Sequence, residues 1–210
     1  MVTLLAVGLA PRVAWAERTQ VYSIQGVDCG DCGDQIKSQL KQVKGVKKAA
    51  FDIHKVELTV RLDDGVADTA ILAAVDRAGF KAMVGPGQGA YLPTPKYPDG
   101  ADVMKLTDNG SAVGPLEKHR APAKYTVFDI YAEWCGPCRM VDARLREIVA
   151  VRKDVAVRKL NVVDFDSRLA QELGPGLRML PYLVVFSPEG KRTDIAGLEL
   201  LKLENALSVK

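Results

Sequence analysis

One run constrains this chain more than any other: Phe128-Asp129-Ile130-Tyr131-Ala132-Glu133-Trp134-Cys135-Gly136-Pro137-Cys138. An apolar, strand-like stretch ends at a tryptophan, and two cysteines then enclose Gly-Pro where a helix should begin. Cysteines this close interconvert between dithiol and disulfide without refolding, which points to redox chemistry rather than scaffolding. Disulfide exchange needs a thiolate, and a free cysteine is mostly thiol at neutral pH. A cysteine at a helix N-terminus lies against unpaired backbone N–H groups and the positive end of the helix dipole, which stabilise the anion. Cys135 is therefore the expected attacking group and Cys138, one turn further in, the resolving one. Pro137 presets the helical backbone and has no N–H to leave unpaired in the first turn. Trp134 is placed to shield the sulfur and pack against an incoming chain. Asp129 is an acid inside an apolar strand, a costly position for a residue without a role.

The bulk properties narrow the setting. At 210 residues the chain is long enough for two domains, and 48% hydrophobic with 26% charged residues is an ordinary globular balance. The net charge of +3 is weak, and no basic stripe with interleaved aromatics appears, so a nucleic-acid partner is not expected. The four cysteines fall as two C-x-x-C pairs, Cys29 with Cys32 and Cys135 with Cys138. About 100 residues separate the pairs, against roughly 15–20 in a four-cysteine zinc ribbon. Residues 1–16, MVTLLAVGLAPRVAWA, read as a signal peptide, with an apolar core at Leu4 to Ala10 and Ala14-Trp15-Ala16 as the cleavage pattern. Pro11 and Arg12 interrupt that stretch far short of the ~20 residues a membrane span needs. The expectation is an exported, for example periplasmic, protein starting at Glu17.

Hydrophobic periodicity divides what remains. From 18 to 86 the order is strand, helix, strand, strand, helix, strand. Val21 to Val27 opens it, and Ile36, Leu40 and Val43 recur at helical spacing until Gly45. Ala49, Phe51 and Ile53, then Val56, Leu58, Val60 and Leu62, alternate with polar or small neighbours as an antiparallel hairpin does. Ile71 to Ala78 gives a second helix closed by Gly79, and Phe80 to Val84 a last strand. The order βαββαβ predicts a ferredoxin-like, four-stranded sheet with two helices on one face. Glycines and prolines punctuate 87–100 as a linker. Residues 99–120 are ambiguous, with a strand conceivable at Val103 to Leu106 and one helical turn near Leu116 to His119. Beyond them, 101–210 reads as a second, α/β domain with strands at Tyr125 to Ala132, Val155 to Val163, Pro181 to Ser187 and Arg192 to Ala196. Its helices are expected at Cys138 to Val151, Ser167 to Leu173 and Leu198 to Val209.

Residues 124–210 resemble the thioredoxin family along their whole length. The resemblance implies a thioredoxin fold, thiol–disulfide oxidoreductase activity on disulfide-bearing proteins, and no organic cofactor. It implies that Asp129 is the buried aspartate assisting proton transfer to Cys138, and that Lys159 is its lysine partner. Pro181, in Leu177-Arg178-Met179-Leu180-Pro181-Tyr182, matches the cis-proline facing the cysteine pair, and Gly197 the glycine near the substrate groove. Two positions depart from the family. Ala143 stands where a kinking proline is usual, so a straighter helix is expected, and Tyr182 stands where threonine is common. A Gly-Pro spacer implies the reducing end of the family, which outside the cytosol requires recharging by a membrane electron donor.

Gly26-Val27-Asp28-Cys29-Gly30-Asp31-Cys32 opens the first helix of the βαββαβ unit. Two thiolates at this spacing can converge on one soft metal ion. With Ala78-Gly79-Phe80, this motif makes residues 18–86 resemble the heavy-metal-associated domains of copper chaperones, mercury-binding proteins and metal-transport ATPases. The resemblance implies a thiophilic ion, either Cu(I) or Hg or one of Zn, Cd and Pb, and a metal-transport protein as a partner. Asp28 departs from the neutral residue usual in Cu(I) members and resembles the zinc, cadmium and lead exporters, where it adds an oxygen ligand. A carboxylate beside two thiolates suits a divalent ion and disfavours the thiolates when metal is absent. Asp28 and Asp31 also read as caps of the first helical turn. His54 is expected in a surface turn and His119 in the linker region, neither as a ligand. The combined expectation is an exported disulfide reductase whose Cys135–Cys138 dithiol keeps Cys29 and Cys32 reduced. The competing readings are a non-enzymatic metal chaperone or scavenger using both pairs, and a redox relay that never holds metal.

Overall fold

The computed structural model describes residues 16–208. The targeting segment expected at 1–16 lies, apart from Ala16, outside the described residues. The first half runs β1 (Glu17–Val27), α1 (Cys32–Leu40), β2 (Val46–Asp52), β3 (Glu57–Asp63), α2 (Asp68–Arg77) and β4 (Lys81–Val84). The strands lie in the order β2-β3-β1-β4, antiparallel throughout. Period two does the work in β3: Leu58, Val60 and Leu62 are fully buried while Thr59 and Arg61 are exposed. Ile36 and Leu40 of α1 and Ile71, Ala74 and Val75 of α2 join that core with Tyr22, Ile24 and Val27 of β1. Each fully buried Leu or Ile contributes about 1.5–3 kcal/mol. Helix α1 stops at Leu40, short of the expected Gly45. Its last turn tightens, with Val43 N bonded to Leu40 O, and Gly45 takes a left-handed φ of 92°.

The glycine- and proline-rich segment after β4 is not wholly irregular. A two-residue strand, β5 (Ala90–Tyr91), runs parallel to the end of β1, opposite Gln25 and Val27. Strand β4 pairs with β1 at Ser23, Ile24 and Gln25, and β5 takes over beyond it, so backbone groups that would otherwise be orphaned find partners. The expected four-stranded sheet therefore has five strands. Glycine is required at 89, where a Cβ would lie 2.4 Å from the carbonyl oxygen of Val56.

The second half contains β6 (Asp102–Thr107), β7 (Tyr125–Tyr131), α3 (Gly136–Val151), β8 (Val155–Asn161), α4 (Arg168–Leu173), β9 (Tyr182–Phe186), β10 (Arg192–Ala196) and α5 (Leu200–Ala206). Their sheet order is β10-β9-β7-β8-β6, with β7, β8 and β6 parallel and β9 and β10 antiparallel. The ambiguous 99–120 region supplies the edge strand β6 and a 3-10 turn at Leu116–His119. Phe128, Ile130, Leu160 and Val184 pack on one face of the sheet, and Val127, Val157, Leu183 and Val185 on the other with Val141 and Leu145 of α3. Burial on both faces makes β7 and β9 read as continuous apolar runs. Helix α3 is continuous for 16 residues through Ala143, and α5 is shorter than the expected 198–209. Among the described residues no helix is long and apolar enough to cross a membrane.

Candidate active site and candidate metal site

Strand β7 delivers Trp134 and Cys135 to the start of α3, where Cys135 is the N-cap and its sulfur accepts a hydrogen bond from Cys138 N at 3.2 Å. No acid lies in the first turn of α3, so no carboxylate of that turn offsets the helix dipole at the sulfur. Cys135 and Cys138 are joined as a disulfide and are only 4% and 3% exposed. Trp134 donates its indole N–H to Val163 O at 2.6 Å and packs against Phe165. Val163 holds a φ of 64°, uncommon for a β-branched residue, and its N–H is anchored by Asn161 Oδ1 at 2.9 Å. The Leu180–Pro181 bond is cis, and its neighbours Leu180 and Tyr182 pack in the cluster that holds both cysteines. Gly197 N donates to Pro181 O at 2.8 Å. Tyr182 turns its hydroxyl to Asp194 Oδ2, 2.8 Å away.

Asp129 is wholly buried on β7, and Lys159 of the adjacent β8 donates to its Oδ2 at 2.8 Å. The register explains the pair, since Asp129 and Lys159 are direct partners in the parallel ladder. Asp129 Oδ1 is buried without a hydrogen-bond partner. Burial raises the Asp129 pKa above the usual carboxylate range against the opposing charge of Lys159, and Asp142 adds to the rise. Burial acts to lower Lys159, but Asp129 and Asp142 together outweigh it and hold the ammonium firmly charged. Asp142 was not singled out by the sequence reading. It lies on α3 at 3% exposure and accepts from Lys159, from Arg146 and, at 2.8 Å, from the hydroxyl of Tyr97. A signal was present: position 142 falls within the buried stripe of Cys138, Val141, Leu145 and Val149, where a carboxylate is as anomalous as Asp129 in its strand. Tyr97, in a proline-rich segment without periodicity, gave none.

The first cysteine pair sits at the start of α1. Cys29 is partly exposed and Cys32, the first helical residue, is buried; the two form a disulfide. Oδ1 of Asp28 lies 3.7 Å from Cys32 Sγ, and donor atoms of Asp28, Cys29 and Cys32 all lie within 4.8 Å of one another. The capping alternative has little to rest on, because Asp31 occupies the N-cap position without a side-chain capping bond. Two sulfurs and a carboxylate oxygen in this compass fit a thiophilic cation once the disulfide is reduced. His119 lies not in the linker but in the 3-10 turn of the second half, with Nε2 2.8 Å from Val113 O.

The two motifs meet. A Cβ built on Gly136, between the second pair of cysteines, would lie 3.2 Å from the carbonyl oxygen of Asp28. The His54 ring meets Trp134 edge-on with centroids 6.5 Å apart, and Arg139 donates to Leu92 O at 2.7 Å. A solvent-open cleft of about 340 Å³ lies alongside, lined by Thr94 to Tyr97 on one side and by Cys138, Arg139, Asp142 and Lys159 on the other.

The sequence profile of the family described as Thioredoxin matches residues 116–208, and that of the Heavy-metal-associated domain matches residues 21–81. Chloroplastic thioredoxin F of Oryza sativa subsp. japonica is 28% identical over 148 residues, covering 64% of this chain and 76% of that protein. A thioredoxin of Malassezia sympodialis is 33% identical over 87 residues, covering 40% of this chain and 80% of its own length. Over 75 residues the chain is 39% identical to copper-transporting ATPase 2 of Rhizobium meliloti, which covers 35% of this chain but only 9% of that transporter.

Proposed function

This chain belongs to the thioredoxin family and carries a heavy-metal-associated domain, and from that footing we propose that it is an exported disulfide reductase whose own metal-binding cysteines are among its substrates. The domains divide as 18–86 and 101–210, joined by 87–100. The observation that carries the reading is the apposition of the two motifs, with Asp28 against Gly136 and His54 against Trp134. In the forward reaction the Cys135 thiolate attacks the partly exposed sulfur of Cys29, and Cys32 leaves as a thiolate that takes up a proton. Cys138 then gives its proton to Asp129 and displaces Cys29 from Cys135 as a thiolate, which takes up a proton from solvent. The net result is a Cys135–Cys138 disulfide and a Cys29/Cys32 dithiol. Two electrons move from one pair to the other, and a membrane electron donor restores the Cys135–Cys138 dithiol.

The reduced first pair then takes its cargo, a thiophilic metal ion, with Asp28 favouring a divalent ion such as Zn²⁺ or Cd²⁺ over Cu(I). Delivery to or from a metal-transport protein follows from the same surface. Trp134 shields the attacking sulfur, and Pro181 borders the groove that takes other disulfide-bearing proteins.

The test uses the full chain carrying Cys32→Ser and Cys138→Ser, which leaves Cys29 and Cys135 as the available thiols. Mild oxidation should form a Cys29–Cys135 disulfide at a rate independent of protein concentration, read by peptide mass spectrometry. Linkage that appears only between molecules, at a rate rising with concentration, would remove self-reduction from the account.

A further inference from the structure

The Asp129–Lys159 pair is not closed on itself. Lys159 reaches Asp129 on one side and Asp142 on the other, and Asp142 is in turn held by Arg146 and Tyr97. Tyr97 comes from the segment that crosses between the two sheets, and Asp142 lies one helical turn beyond Cys138 on α3. Together they form the wall of the cleft that reaches Cys138 and Lys159.

We propose that Asp142, held by Tyr97, is a positioning residue for disulfide exchange: it shares Lys159 with Asp129 and thereby sets how readily Asp129 accepts the Cys138 proton. The inference rests on the reading of Asp129 as that acceptor. The charges around it are two carboxylates, Asp129 and Asp142, against two cations, Lys159 and Arg146. Tyr131 lies under the Lys159 ammonium at 4.3 Å and Tyr97 at 5.6 Å, while Lys105 of β6 and Glu133 line the open side of the cleft. An ammonium divided between two carboxylates stabilises each anion less than it would stabilise one, and the second negative charge opposes ionisation of the first. Asp142 therefore keeps Asp129 a stronger base than a dedicated Lys159–Asp129 pair would allow. The ladder pairing of β7 with β8 alone cannot do this, because it brings only the cation.

With Asp142 neutral, Lys159 serves Asp129 alone and the second negative charge is gone, so Asp129 holds its charge to lower pH. The experiment forms a mixed disulfide between Cys135 and thionitrobenzoate on the full-length chain and follows its release by Cys138 from pH 5 to 9. Asp142→Asn should move the inflection of the rate profile down by about one pH unit. It should also lower the high-pH plateau several-fold, because the acceptor is a weaker base. Asp142→Glu should restore the wild-type inflection, and Tyr97→Phe should shift it in the same direction as Asp142→Asn by a smaller amount. Should Asp142→Asn not fold, Tyr97→Phe carries the test, with the Asp129 carboxyl followed by ¹³C NMR. Asp129→Asn separates the two levels. If it removes the inflection while Asp142→Asn and Tyr97→Phe leave theirs in place, the role of Asp142 is refuted and that of Asp129 stands. If Asp129→Asn leaves the inflection, both fall.

Discussion

Two cysteine pairs with the same spacing and the same Cα separation of 5.3 Å sit at helix starts in this molecule, yet the charges around them differ. At α3 the first cysteine caps a 16-residue helix whose first turn carries no acid, and its sulfur receives a backbone N–H. At α1 the pair opens a nine-residue helix among Asp28, Asp31 and Asp34. The first setting stabilises a bare thiolate, whereas in the second Asp34 is paired with Lys37 and the carboxylates of Asp28 and Asp31 remain near the sulfurs, where they disfavour thiolates and favour a bound cation. On the strand leading to the α3 pair lies a buried carboxylate, Asp129, and beside the α1 pair lies a carboxylate oxygen of Asp28. Spacing makes a cysteine pair capable of both chemistries; neighbouring charge selects between them.

The comparison can be broken most severely at the sulfurs. Cys135→Ser should abolish reduction of insulin by dithiothreitol through this chain, whereas Cys138→Ser should accumulate a mixed disulfide with substrate. Equal trapping by both variants would reverse or erase the division between attacker and resolver. Cys29→Ser or Cys32→Ser should remove most of the metal affinity of the reduced chain while insulin reduction persists, since a neutral hydroxyl cannot replace a thiolate for a soft ion. Insulin reduction lost along with metal binding would mean the two sites are one machine.

Asp129→Asn should slow turnover without unfolding the chain, by at most roughly the 10²–10⁴-fold typical of general acid–base assistance. The same substitution has a stability signature. Because burial raises the Asp129 pKa, the folded state favours the protonated acid, so the stability contributed there is complete at acidic pH and lost as pH rises through the folded pKa. The melting temperature of Asp129→Asn should therefore gain on the wild type between pH 4 and pH 8, and a constant gap would contradict the assigned shift. The smallest effect is expected from Asp28→Thr, which should weaken Zn²⁺ or Cd²⁺ more than Cu(I) in anaerobic competition titrations. Unchanged divalent affinities would return Asp28 to a local structural role and favour Cu(I).

Much of this was legible from residue order. The β3 alternation at Leu58, Val60 and Leu62, the apolar runs of β7 and β9, and the helix start at Cys135 are local patterns, and local patterns survive folding. Lys159 and Pro181 were reached only through resemblance, because a partner one strand away and a cis bond leave no periodic trace. What stayed hidden depends on how the two halves approach. His54 does sit in an exposed turn, as its sequence context reads, but its edge-on contact with Trp134 of the other half leaves no trace in residue order. Tyr97 and β5 lie in a segment whose glycines and prolines hide its contacts, and a tyrosine there shows nothing of the carboxylate it will meet. Asp142 was the one miss that the buried stripe of α3 could have flagged.

The division of labour between the pairs is tested most directly by alkylation of the reduced, metal-free full chain at neutral pH, with and without Cd²⁺, each cysteine read by peptide mass spectrometry. Cys135 should be the fastest of the four to react, and Cd²⁺ should protect Cys29 and Cys32 while leaving the rate at Cys135 unchanged. If Cd²⁺ protected Cys135 and Cys138 as strongly as the first pair, both motifs would be metal sites and the reductase account would be contradicted.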